Sequence, residues 1–195
     1  IGRRQRQMCI RDRHHYEKSC DLYETLGDHA GLFSTAMTRC SIALDAGQLQ
    51  EARDFGEQGL SLARQHRHRT WLGDAWLFLG EVARRMEDYD EARLLYQRAL
   101  SISRSTGWVG GMQIIRLNIA QLDLESGDFD AAARTTAEIA AEMETSGRRL
   151  LENLVLCVEL GCAVGRGQQE RAERLLTLLE AVSYTHLTLP TTYTV

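Results

Sequence analysis

GQLQEAR (Gly47–Arg53), EDYDEAR (Glu87–Arg93), GDFDAAA (Gly127–Ala133) and GQQERAE (Gly167–Glu173) are four versions of one segment, each beginning 40 residues after the last. Ala52, Ala92, Ala132 and Ala172 stand in register. So do Gly27, Gly107 and Gly147, with Arg67 at the same place in the second copy. Self-similarity at a fixed period points to one supersecondary unit stacked on itself, because a unit too small to bury its own apolar face hides it against the next copy.

Between these turns the apolar residues recur with helical spacing. In WLGDAWLFLGEVARRM (Trp71–Met86) they fall at Trp76, Leu79, Val82, Ala83 and Met86, and in DEARLLYQRALSIS (Asp90–Ser103) at Ala92, Leu95, Tyr96, Ala99, Leu100 and Ile102. Both spacings line one face of a 3.6-residue helix. Each unit is therefore a helix pair, with a glycine or a polar pair in the turn within it. The glycine after the second helix suits a left-handed C-terminal cap. Offsets of 40 predict first helices near 31–46, 71–86, 111–126 and 151–166, and second helices near 50–65, 90–105, 130–145 and 169–181. One more second-type helix is expected upstream, at Tyr16–Leu26.

With those residues in view, the chain resembles tetratricopeptide repeats. The family spacing W-x2-L-G-x2-Y, then A-x3-F, is met by Trp76, Leu79 and Gly80, with Ala83 in place of the Tyr, followed by Ala92 and Tyr96. The resemblance implies an all-α fold, an α-solenoid of antiparallel helix pairs. In it Cys40, Gly80 and Ala120, with Ala52, Ala92 and Ala132, let paired helices approach closely, and Trp76, Tyr89, Tyr96 and Phe129 fill the wedge between units. The sequence departs from the family twice. Arg104 stands where a proline is usual, and the period is 40 rather than about 34. The surplus predicts longer helices and longer inter-unit loops, QHRHRT (Gln65–Thr70) and STGWVGG (Ser105–Gly111) among them. Gly56 and Leu160 break the pattern in the first and fourth copies.

The two ends read differently from the body. RRQRQMCIRD (Arg3–Asp12), followed by most of the codon for Arg13, and VSYTHLTLPT (Val182–Thr191) match, letter for letter, translations of one transposase sequencing adapter read on opposite strands. We therefore expect 1–13 and 182–195 to be adapter-derived tails and 14–181 to be the repeat domain. That domain comprises a half repeat at 14–27 and repeats at about 31–65, 71–105, 111–146 and 150–181. Setting the tails aside removes five Arg and one Asp and moves the formal charge from -4 to -8. With the basic arm gone, the case for a nucleic-acid partner goes too, since phosphate contacts need clustered cations. The only proline, Pro190, also lies in a tail.

The remaining composition narrows the function. Cys20, Cys40, Cys157 and Cys162 sit in apolar helical stretches with no CxxC pair, which predicts reduced thiols packed as small hydrophobes. No apolar run reaches the roughly 18 residues of a membrane span, so no membrane partner and a cytoplasmic location are expected. His66 and His68 flank Arg67, but no ligand set near them, nor with His14, His15 or His29, has zinc spacing. GWVGGM (Gly107–Met112) precedes a helix but lacks the strand and lysine of a phosphate loop. Cys157 and Cys162 are five apart on one helix and diverge by roughly 140°. No catalytic residue, cofactor or metal site is expected.

What is left is surface. The resemblance implies that the first helices line a concave side that binds a protein or peptide, or other domains of the same chain. Carried over position by position, it points that side at Asp74, Glu81 and Arg85 in the second repeat and at Asn118, Gln121 and Glu125 in the third. Met37, Leu77, Leu117 and Cys157 would form an apolar strip beside them. The expected role is a noncatalytic interaction or sensor segment of a multidomain bacterial signal-transduction protein, one with a Ser/Thr kinase or regulatory ATPase module. The alternative is a ligand-sensing repeat segment of an ATPase-type transcriptional activator whose DNA-binding domain lies elsewhere.

Overall fold

The computed structural model describes residues 16, 18–146 and 151–187, with side chains up to 180. Residues 1–15, 17, 147–150 and 188–195 lie outside the described residues, and with them the expected tail at 1–13 and Gly147. Among those described, all regular structure is helical. A stretch at 18–26 (α1) is followed by α2 (His29–Asp45), α3 (Leu49–Gln65), α4 (Arg69–Arg85), α5 (Tyr89–Thr106), α6 (Val109–Glu125), α7 (Phe129–Ser146), α8 (Glu152–Gly165) and α9 (Gln169–Leu187). From α2 onward, every boundary but the last falls within two residues of the periodicity reading. The exception is α9, whose backbone stays helical past 181 into the stretch read as adapter-derived.

The turns explain why the boundaries were legible. Gly27, Gly47, Arg67, Glu87, Gly107, Gly127 and Gly167 all have positive φ, between 50° and 85°, and they recur at steps of 20 residues with only 147 undescribed. The turns after α1, α2, α3, α4, α6 and α8 close with the same backbone bond, from an amide to the carbonyl five residues back. Examples are Gln48 to Ala43 (2.8 Å), His68 to Ala63 (3.0 Å) and Asp88 to Ala83 (2.9 Å). This is the Schellman closure, which satisfies carbonyls left bare at a helix end. Turns within and between pairs are thus alike. The long inter-unit loops expected at Gln65–Thr70 and Ser105–Gly111 do not form: α4 begins at Arg69 and α6 at Val109. Helices of 17 or 18 residues in α2 to α7 absorb the surplus instead.

Helix starts are capped as locally. The side chains of Asp28, Asp88 and Asp128 accept the amides of Gly31 (2.9 Å), Glu91 (3.1 Å) and Ala131 (2.9 Å). His68 Nδ1 accepts from Trp71 N at 3.3 Å. Each of these contacts satisfies one of the amides that a helix N-terminus leaves free.

The chain divides into two compact units, residues 1–107 and 108–195. In the first, α2 packs on α3, α3 on α4 and α4 on α5, with α2 also touching α4. In the second, the order is α6 on α7, α7 on α8 and α8 on α9, with α6 touching α8. Neighbouring pairs therefore stack as in an α-solenoid within each unit. The first unit has one core around Phe33, Ala36, Met37, Ala63 and Ala75 and another around Cys40, Ala43, Leu44, Ala52 and Val82. The second unit buries Leu117, Ile139, Met143, Leu151 and Val155, and separately Ala120, Ala132, Val158 and Cys162. Ala52, Ala92 and Ala132 are fully buried, as their register demands.

Two expectations about packing need correction. Met37 and Leu117 do not form a surface strip with Leu77 and Cys157: both are core, at 6% and 3% exposure, and Cys157 is exposed. Of the aromatic residues expected in the wedge, only Tyr96 is fully buried, while Trp76, Tyr89 and Phe129 are half-buried. Gly56, which appeared to break the repeat, stands in the register of Tyr96 and is buried. A Cβ there would come within 2.6 Å of Leu79 Cδ2, so the leucine fills the room the missing side chain leaves.

Candidate interaction site

The described residues hold no group of three His, Cys, Asp or Glu able to hold a metal, and none of their helices is long and apolar enough to cross a membrane. The candidate site is a groove. It runs between α2 and α4, the first helices of two successive pairs, and encloses about 600 Å³. Phe33, Met37, Trp71 and Phe78 give it apolar walls, and Ser34, Thr38, Ser41 and Asp74 bring polar groups to it. The pairing of rows follows from the repeat: Ser34 and Asp74 are 40 residues apart, as are Thr38 and Phe78.

Aromatic stacking closes one end. The Phe33 and Trp71 rings lie 4.7 Å apart and within 5° of parallel, and the His68 ring stacks on Trp71 at 4.3 Å. His66 stacks on His29 at 3.9 Å and meets Trp71 edge-on at 6.4 Å. Contacts of this kind hold the wall in one shape, since each ring is fixed by a neighbour rather than by solvent. Asp74 has no hydrogen-bond or ion-pair partner among the described residues. Desolvation raises its pKa above the ordinary carboxylate value, and the nearby His68 only partly offsets this. A half-buried carboxylate of that kind gains from any cation brought to it.

The other expected partner-binding residues are differently placed. Glu81 and Arg85 belong to an internal cluster. Arg84, 8% exposed, donates to Glu81 from Nε (2.9 Å) and Nη2 (2.6 Å), Arg85 Nε donates at 2.9 Å, and Tyr96 Oη donates at 3.1 Å. Burial would push the Glu81 carboxyl up, but the bonds and charge of Arg84, with the bonds from Arg85 and Tyr96, hold it below the usual range. Burial and the Glu81 charge push the Tyr96 phenol far up. In the second unit Gln121 Nε2 donates to Glu125 Oε1 at 3.2 Å, and Asn118 is half-buried on the same helix. Asp74, Glu81 and Arg85 thus lie in one compact unit and Asn118, Gln121 and Glu125 in the other.

Sequence reasoning missed Phe33, Trp71 and Phe78 as groove walls. A signal was present for Phe78, which shares the register of Asn118, one of the positions assigned to the concave side. Phe33 and Trp71 gave none, because nothing in a single helix says that two rings from different helices will stack.

Among curated proteins no relative matches the chain. Residues 31–105 match the family model described as Tetratricopeptide repeat. Repeats of this family generally act as noncatalytic scaffolds for contacts between proteins. The matched stretch takes in nearly all of the four helices α2 to α5, so the groove described above is walled almost wholly by the part of the chain that is similar to tetratricopeptide repeats.

Proposed function

We propose that this chain is a protein-interaction segment that docks a peptide, or an exposed segment of another domain, in the groove between α2 and α4. The observation that carries the reading is the pairing of an aromatic wall with an unpartnered, partly desolvated carboxylate, Asp74. The wall favours an apolar anchor and Asp74 favours a lysine or arginine beside it. Within the second unit, Asn118, Gln121 and Glu125 on α6 are proposed as separate polar contacts for a partner. Nucleic acid is disfavoured by the formal charge of -8 between the tails. The role this supports is a docking arm of a larger signalling protein in the cytoplasm, with chemistry supplied by other domains.

A fluorescein-labelled peptide of alternating Arg and Leu tests this by anisotropy. Saturable binding is expected, weakened roughly tenfold by Asp74→Asn and by Phe78→Ala, with thermal melts showing that both variants fold. Equal binding by the two variants and the parent chain would remove the groove from consideration.

A further inference from the structure

A second groove lies against a different face of α4, and its chemistry is opposite. α4 packs on both α3 and α5 and forms the floor between them. The space is about 450 Å³. Leu60 on α3, Leu79 on α4 and Leu95 on α5 give it an apolar lining, and Arg53, Arg64 and Arg98 surround it. From Arg53 to Arg64 the groove follows α3 for about 16 Å, enough for roughly five extended residues.

The polar groups here are unevenly matched. Arg53 Nη2 donates to Glu91 Oε2 at 2.8 Å, an ion pair that bridges α3 to α5 and occupies Glu91. Glu57 is the other carboxylate on the lining. Arg64 and Arg98 have no carboxylate partner among the described residues; the Arg98 guanidinium stands 5.9 Å from the centre of the Trp76 ring. Two donors on this groove are buried with no acceptor among the described residues: the indole N–H of Trp76 and the Nε–H of Arg53. Buried donors are almost always bonded in folded proteins, so two orphans on one groove mark the place of an absent acceptor.

That acceptor has to serve an indole N–H and guanidinium groups and has to tolerate leucines beside it. A carboxylate meets the first condition, since guanidinium and carboxylate are matched in shape and charge. A neighbouring apolar side chain meets the second. We infer that the groove between α3 and α5 docks an acidic segment of a partner protein, with Glu or Asp carboxylates received by Trp76, Arg53, Arg64 and Arg98 and an apolar residue seated on Leu60, Leu79 and Leu95. This is a surface separate from the α2/α4 groove and selects the opposite charge, so one unit can hold two partner segments at once.

The test uses the full chain and a fluorescein-labelled acetyl hexapeptide amide of alternating Glu and Leu, read by anisotropy beside its Gln–Leu counterpart. Saturable binding of the Glu–Leu peptide is expected, weakening with added salt and at least about tenfold tighter than that of the Gln–Leu peptide. Arg64→Gln with Arg98→Gln should weaken it by about tenfold or more, and Trp76→Phe, which keeps an aromatic ring but loses the N–H together with the fused pyrrole ring, by roughly threefold to tenfold. Melting curves should overlay that of the parent, while Asp74→Asn, in the other groove, should leave Glu–Leu binding unchanged. Equal binding of the two peptides, no saturable binding, or undiminished binding by the arginine variant would overturn the inference and assign the orphan donors to water only. Loss of Glu–Leu binding in Asp74→Asn would overturn it equally, without touching the test of the first groove by the Arg–Leu peptide.

Discussion

The ring of Tyr96 occupies the space that a Cβ on Gly80 would need: an ideal Cβ there stands 2.7 Å from both Cδ1 and Cε1 of the ring. Tyr96 is fully buried and its hydroxyl is bonded to Glu81, so the ring has nowhere to retreat. This contact sets how closely α4 and α5 approach.

Gly80→Ala should therefore destabilise the first unit by about 1–2 kcal/mol, the overpacking cost less the helix propensity gained. Gly59→Ala is the contrast. A Cβ there meets the end of the Met37 side chain, which can swing aside. It should stay within about 0.5 kcal/mol of the parent. Urea denaturation of both variants checks the pair, and equal effects would contradict the packing described.

The Glu81 cluster makes stability depend on pH in a definite direction. Because the folded carboxyl is held below its ordinary value of 4.5, its contribution is fully present above that value and is lost as pH falls through the lower, folded value. Glu81→Gln takes away the charge that Arg84, Arg85 and Tyr96 all bond and should cost about 2–3 kcal/mol at pH 7. The gap between variant and parent should narrow as pH falls through the acid range. Denaturation series at several pH values would show the convergence; a constant gap would contradict it.

Among the described residues, Glu87 and Arg67 are the non-glycine residues held at positive φ, at 63° and 50°. Both are exposed and have helix-ending roles that glycine fills elsewhere in the chain. Glu87→Gly should stabilise by roughly 0.5–1 kcal/mol, since the left-handed strain on a residue with a Cβ exceeds the extra entropy glycine loses. A fall in melting temperature would be the contrary result.

Trp76→Ala separates core from groove. Being half-buried with an unbonded N–H, Trp76 should cost about 2–3 kcal/mol on truncation, below the roughly 3–5 kcal/mol of a fully enclosed aromatic. Ala92, fully buried, should not accept a larger side chain: Ala92→Leu should cost about 1–3 kcal/mol. Denaturation of both variants would show whether the wedge belongs to Tyr96, as found, or to Trp76.

Thiol labelling reads the same distinction at cysteines. Cys157 is exposed and should react with a maleimide in the folded chain. Cys40 is buried, and burial pushes its thiol up to about 11, so it should react only on unfolding. Early modification of Cys40 would show that the first core opens locally.

Helix limits and register were settled by the sequence itself. Wherever the residue after a helix is described, the helix is bounded within its own turn: a left-handed Gly, Arg or Glu at the end and, at several starts, an Asp or His that caps the next amides. Those are short-range interactions, and a 40-residue repeat displays them several times over. The alanine at 52, 92 and 132 was equally legible, since a small residue at a fixed point on each helix means a close approach there. What only the tertiary structure decided is how each side chain is spent once helices from different pairs meet. Glu81 has the composition of a binding residue but accepts from Arg84, Arg85 and Tyr96, and Arg85 is thereby bonded to Glu81. Met37 and Leu117 have the register of an exposed strip but are core, and Gly56 is made good by Leu79, which comes from another helix. Burial and pairing are properties of the partner helix as much as of the helix that bears the residue, and no spacing along one helix carries that information.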